Sequence, residues 1–336
     1  MKKIIILIIV GLVLVAGSVA TGYVLTRDKP KTADSGLSDA QQQEIDRLQK
    51  ELDTLKENKD SNEAPAFINE PTTGGATPQP TPQSTPQPTP QPATPKKTVL
   101  ADLGDFKIVY SATQSPQYTE MNRLIKGSGI FEETASFLNL LLILQKDFPI
   151  TFKECGFVNA YYTLATKEIF ICDELVENFA QNFVYFVSSE AELDKAVTDA
   201  TFFILFHELG HGLIDIYDLT YSGKEEDVAD QLSTLVLVNL GEDGAKAAIT
   251  GANLFYITSS NIDAGSYPFW DEHSLNQQRY YNILCWVYGS DPQKYSNFVG
   301  VYGLPQERAV RCQREYENMS EFWDVAIEPF VKEEFK

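Results

Sequence analysis

Histidine is scarce in this chain, with three in 336 residues, so each position carries information. Cysteine is nearly as rare. There are four and no C-x-x-C pair, which excludes both a small disulfide scaffold and a cysteine-rich zinc module. Basic residues are also in short supply: 27 Lys and Arg stand against 47 Asp and Glu, a formal net charge of −20. Such a surface repels a phosphate backbone, so no nucleic-acid partner is expected. Hydrophobic residues make up 43% and charged residues 22%, ordinary globular values that exclude disorder throughout. The length admits one or two domains.

Only one long hydrophobic run is present. After Met1-Lys2-Lys3, Ile4 to Leu25 carries no charge. As a helix it spans about 33 Å, enough to cross a hydrocarbon layer of roughly 30 Å. Residues 1–26 are therefore expected to form a single-pass membrane anchor, with the remainder outside the cytoplasm. A cleaved signal segment is the alternative, with Ser18-Val19-Ala20 as its cleavage site. Residues 27–64 follow as a stalk. In it Ile45, Leu48, Leu52 and Leu55 form a short heptad seam between Gln, Glu, Lys and Asp. That seam is either a weak dimer contact through residues 38–58 or a solvated helix. Residues 65–97 are rich in Pro, Thr and Gln, a composition that favours extended polyproline II and acts as a spacer.

Residues 98–336 read as one globular domain large enough to bury a full core. Phe106–Tyr110, Ile150–Phe152 and Ile169–Cys172 read as strands. Helical patterns run over Phe131–Gln145, Ala191–Tyr217, Asp227–Leu240 and most of Leu275–Lys336. Strands first and helices later point to an α+β fold. The cysteines Cys155, Cys172, Cys285 and Cys312 allow three pairings, and export permits disulfides. Cys155–Cys172 across a strand pair and Cys285–Cys312 between late helices is the preferred pairing. Four buried thiols is the alternative.

Two of the three histidines fall in Phe206-His207-Glu208-Leu209-Gly210-His211. In H-E-x-x-H on a helix, residues i and i+4 share a face, so His207 and His211 can reach one metal ion. Glu208 follows the first ligand and is placed to take a proton from water. A catalytic zinc takes a third protein ligand and keeps one position open. Ile214 and Tyr217 stand where a metzincin needs Gly and His, which excludes that class. Asp215 lies about 12 Å along the axis from His207, too far to share an ion. After a turn come Glu225-Glu226-Asp227-Val228-Ala229-Asp230. Glu226 and Asp230 share a helix face, with Glu226 as the third ligand and Asp230 as the acceptor that orients a ligand histidine. Glu225 is expected to face solvent, about 100° away around the helix.

H-E-x-x-H followed by a helix carrying E-x-x-x-D resembles the thermolysin-like (gluzincin) zinc peptidases. More closely, the chain resembles a family of bacterial metallopeptidases. The resemblance runs over Glu154-Cys155-Gly156, Asn159-Ala160-Tyr161-Tyr162, Ile169–Glu174, His207–Gly212, Gly223–Gln231, Asp271–Leu275 with Gln278-Arg279, and Cys285-Trp286. It implies a zincin-like domain of small mixed sheet and helices, with one zinc per chain. It further implies an edge strand carrying Asn159 and Ala160 that pairs with a peptide substrate. His273, oriented by Asp271, would stabilise the oxyanion, and Arg279 would either reach the substrate cleft or form a structural ion pair. The implied whole is a bacterial membrane-anchored, extracytoplasmic zinc peptidase with Glu208 as general base, secreted if the anchor is cleaved. A catalytically inactive zinc-binding interaction module of the cell envelope is the alternative.

Overall fold

The computed structural model describes residues 100–259 and 272–336. The expected membrane anchor, stalk and proline-rich segment, and Asp271, lie outside the described residues. Among the described residues, no helix is long and apolar enough to cross a membrane.

The domain is mixed α+β and mostly helical. Strand β1 (Phe106–Tyr110) is followed by helices α1 (Pro116–Ser128) and α2 (Ile130–Leu141). Strands β2 (Phe148–Lys153), β3 (Ala160–Thr163) and β4 (Glu168–Cys172) come next. Six helices complete it: α3 (Asp173–Phe183), α4 (Glu190–Ile216), α5 (Glu225–Asn239), α6 (Glu242–Ser259), α7 (Asn276–Ser290) and α8 (Gln306–Ile327). The strands form one sheet in the order β1-β2-β4-β3. β1, β2 and β4 run parallel, and the edge strand β3 runs antiparallel to β4.

Alternation within the strands decides where the core sits. Phe148, Ile150, Phe152, Ile169 and Ile171 all project from one face and are almost fully buried. Phe131 of α2 packs edge-on against Phe152 at 5.0 Å and stacks on Phe202 of α4 at 4.8 Å. One aromatic thus joins the sheet, α2 and α4. The expected helix Phe131–Gln145 stops at Leu141, because Leu142 and Leu144 leave it to bridge Val331 and Gly104.

α4 is the central helix, with α5 and α6 packed on it and β3 and β4 lying across another side. Its start is fixed by Ser189, whose side chain accepts the Glu192 N–H at 3.2 Å. Two glycines let neighbours close in. A Cβ on Gly210 would stand 2.9 Å from Ala229 Cα of α5. A Cβ on Gly212 would stand 2.5 Å from the Phe148 ring of β2. The glycines of His207–Gly212 therefore bring helix α5 and the sheet onto the same turn of α4.

Both preferred disulfides are formed. Cys155–Cys172 ties the segment after β2 to the end of β4, and Cys285–Cys312 ties α7 to α8.

Candidate metal centre

Three donor groups converge where α4 meets the first turn of α5. His207 Nε2 and His211 Nε2 lie 3.3 Å apart. Glu226 Oε2 is 3.3 Å from His207 Nε2, and Glu226 Oε1 is 3.4 Å from His211 Nε2. An ion bonded at about 2.0–2.1 Å to tetrahedral ligands holds them about 3.3–3.4 Å apart, which is the spacing found here. Glu226 Oε2 is buried and has no hydrogen-bond partner among the described residues. A buried carboxylate oxygen left in that state is costly unless a cation faces it. Two imidazoles and a carboxylate are a donor set that suits zinc.

The second nitrogen of each imidazole is engaged. His207 Nδ1–H donates to Asp230 Oδ1 at 2.8 Å, and His211 Nδ1–H donates to Glu225 Oε1 at 2.8 Å. Each ring is thereby held in the tautomer that leaves Nε2 facing the cluster. Asp230 is in turn gripped by Arg279, through Nε to Oδ2 and Nη2 to Oδ1, both at 2.7 Å. The Arg279 guanidinium lies 3.8 Å from the centre of the Phe255 ring. Glu225 also accepts the Tyr221 hydroxyl at 2.5 Å.

Electrostatics follow from these contacts. Burial alone would raise the Glu226 carboxyl, yet the two imidazoles hold it well below the usual carboxylate range. Burial would lower His207, but Asp230 and Glu226 push it up to about 9. Asp230 is held at about 2, because Arg279 and then His207 outweigh the cost of its burial.

Glu208, next to the first histidine, points toward the sheet edge. Its Oε2 accepts the Tyr162 backbone N–H of β3 at 2.8 Å. Asn159 O accepts the Cys172 N–H at 3.1 Å. By ladder alternation Tyr161 then faces β4, while Ala160 and Tyr162 turn their backbone groups outward. Glu208 therefore closes one outward position of an edge that pairs with no further strand among the described residues.

Among the other residues expected at the site, His273 lies beside it, its Nε2 3.4 Å from Glu226 Oε2. Lys224 Nζ donates to the His273 carbonyl at 3.0 Å, and Ser274 Oγ donates to Asp227 at 2.7 Å. The start of α5 thus fastens the His273 segment. Asp215 takes no part in the cluster and accepts the Tyr162 hydroxyl at 2.5 Å. Of the two roles expected for Arg279, the ion pair is the one formed: the side chain is 7% exposed and paired with Asp230. One expectation needs correction. Glu225 does not simply face solvent, because it orients His211. The signal for Glu225 was in the sequence, since a second ligand histidine needs its own acceptor.

The arrangement places a cluster of two imidazoles and a carboxylate, able to hold a metal ion, beside an edge strand that pairs with no further strand among the described residues. Over residues 110–327 the chain matches the family described as "Putative metallopeptidase", and it belongs to that family. No curated protein and no solved structure matches it.

Proposed function

We propose that this chain is a zinc-dependent peptide hydrolase in which His207, His211 and Glu226 hold the ion and Glu208 is the general base. The observation that carries the reading is the triangle of donor atoms at 3.3–3.4 Å, with Glu208 next to it. An ion held there supplies a Lewis acid that polarises a carbonyl and acidifies water. The remaining steps belong to the chain. A peptide adds as a strand to the outer edge of β3, pairing with the backbone groups of Ala160, which gives main-chain binding with little demand on sequence. Asn159 sets the start of that edge. Glu208, its carboxylate steadied by the Tyr162 N–H, takes a proton from the attacking water and passes it to the leaving amine. His273 donates to the developing oxyanion from beside Glu226. Asp230 with Arg279, and Glu225 with Tyr221, keep the two ligand imidazoles oriented.

The membrane anchor at residues 1–26 and an extracytoplasmic placement are part of this proposal. They rest on the uncharged run Ile4 to Leu25.

The test is metal content and casein hydrolysis on the full chain, wild type beside Glu208→Gln. One zinc in both proteins, with hydrolysis about 10²–10⁴-fold lower in the variant, is the expected result. Equal hydrolysis in the two would remove Glu208 from the mechanism. Zinc in neither would remove the metal centre.

A further inference from the structure

Two carboxylates of α4 grip the same residue of the edge strand. Glu208 and Asp215 are seven positions apart, so they share a helix face and stand about 10.5 Å apart along the axis. Glu208 Oε2 accepts the Tyr162 backbone N–H at 2.8 Å, and Asp215 Oδ2 accepts the Tyr162 hydroxyl at 2.5 Å. Tyr162 is thus fixed at both ends, by its main chain and by its phenol. The ring between them is held as well. It stacks on Phe148 at 5.8 Å with the planes 4° apart, and a Cβ on Gly212 would touch its edge at 3.5 Å.

Asp215 has a second partner, since Lys167 Nζ pairs with the same Oδ2. Lys167 closes the turn between β3 and β4, where its N–H donates to the Thr163 carbonyl at 2.9 Å. Its φ of 56° is left-handed, a conformation uncommon for a residue other than glycine. One carboxylate oxygen therefore receives both β3 and the turn that follows it. Burial, and then Asp215, push the Tyr162 phenol well above its usual value, so the hydroxyl stays protonated and donates. Asp215 and Lys167 both stand outside the donor cluster of His207, His211 and Glu226.

We propose that Asp215, steadied by Lys167, is the positioning residue of the general base. It locks Tyr162, whose N–H then holds Glu208 in the orientation that takes a proton from water. The inference rests on the metallopeptidase reading above. A strand of four residues at a sheet edge, paired on one side only, frays easily. A single N–H from such a strand fixes a carboxylate only as well as the strand itself is fixed. The phenol supplies the second anchor. Misplacing a reacting group by about 1 Å costs up to about 10²-fold in rate, which is the scale of effect expected here.

The test uses the full chain and compares Tyr162→Phe, Asp215→Ala and Asp215→Asn with the wild type. It measures kcat and KM for casein, zinc content, and hydrogen exchange at the Tyr162 amide. Tyr162→Phe and Asp215→Ala should each lower kcat about 10–100-fold, with KM and zinc content unchanged. The Tyr162 amide should exchange faster in both, while the Tyr161 amide, directed to β4, keeps its protection. Asp215→Asn retains an acceptor for the phenol and should recover most of the kcat. On a Glu208→Gln background, Tyr162→Phe should cost nothing further, because its effect passes through Glu208. Wild-type kcat in both Tyr162→Phe and Asp215→Ala overturns the inference. So does a loss that follows lost zinc, or one that persists in full on Glu208→Gln, since either makes the contact merely structural. Equal hydrolysis by the wild type and Glu208→Gln alone brings down the general base itself, and this inference with it.

Discussion

The adjacent carboxylates Glu225 and Glu226 divide their work between the inside and the outside of the donor cluster. Glu226 faces both imidazoles, while Glu225 takes the outer nitrogen of His211 and the Tyr221 hydroxyl. Both also sit in the first turn of α5, where the helix dipole favours negative charge. Glu225→Gln keeps the size of the side chain and removes the charge behind His211. It should weaken zinc binding about 10–100-fold, measured by competition with a chelator, without unfolding the domain. A second residue-scale effect lies at the end of β4. Burial pushes the Asp173 carboxyl up to about 7. Its Oδ1 and the Asn122 Oδ1 both lack a hydrogen-bond partner among the described residues, and a proton on Asp173 supplies a donor there. The folded state holds this proton more tightly than the unfolded chain does. The resulting stability is complete below about pH 4 and is lost as pH rises toward 7. Asp173→Asn should therefore raise the Tm at pH 8 more than at pH 4. An equal change at both pH values would show that folding does not raise this carboxyl.

Among the elements, the contact of α4 with α5 decides whether the proposed metal centre can form at all. H-E-x-x-H supplies two of the proposed ligands from one helix, and the third arrives only if α5 packs closely. Gly210 permits that approach. Gly210→Ala puts a methyl group against the Ala229 backbone and should cost about 1–3 kcal/mol, read from denaturant unfolding. The same change should lower zinc affinity, since it shifts Glu226 and Glu225 together. Zinc affinity unchanged by Gly210→Ala would mean that α5 can relax around the methyl without moving its ligands. The edge strand β3 is the other element at issue. Only four residues long, it is the one antiparallel strand of the sheet, and it carries the Tyr162 N–H to Glu208.

Across the whole domain, the two disulfides fasten parts that serve the site indirectly. Cys155–Cys172 closes a separation of 17 residues around β3, and Cys285–Cys312 closes 27 between α7, which carries Arg279, and α8. Loop-closure entropy assigns each about 3–4 kcal/mol. Reduction of both should lower the Tm, and Cys285→Ser with Cys312→Ser should lower it without changing zinc stoichiometry. Loss of zinc in that double variant would show that α7 positions Asp230 as well as pairing with it.

Much of the site was legible in the sequence because its information is local. The i, i+4 spacing of His207 and His211, and of Glu226 and Asp230, follows from helix geometry, as does the placement of α4 itself. Strands β1, β2 and β4 were legible from short β-branched and aromatic runs. Other features depended on packing. α2 ends at Leu141 because Leu142 finds Val331 far along the chain. Arg279 was open to a cleft role or an ion pair until the fold placed it against Asp230, 49 residues earlier. Glu225 was read outward because helix geometry alone turns it away from Glu226. Only the path of the connection after α4 brings His211 to it. By itself, then, the sequence determined the α+β class, the helix-borne donor types and their order. Tertiary structure alone decided which acceptor serves which histidine, and that Glu208 and Asp215 meet on one residue of β3. The reason is physical: helix and strand periods act over a few residues, whereas coordination and hydrogen bonding act through space between elements brought together by burial of the core.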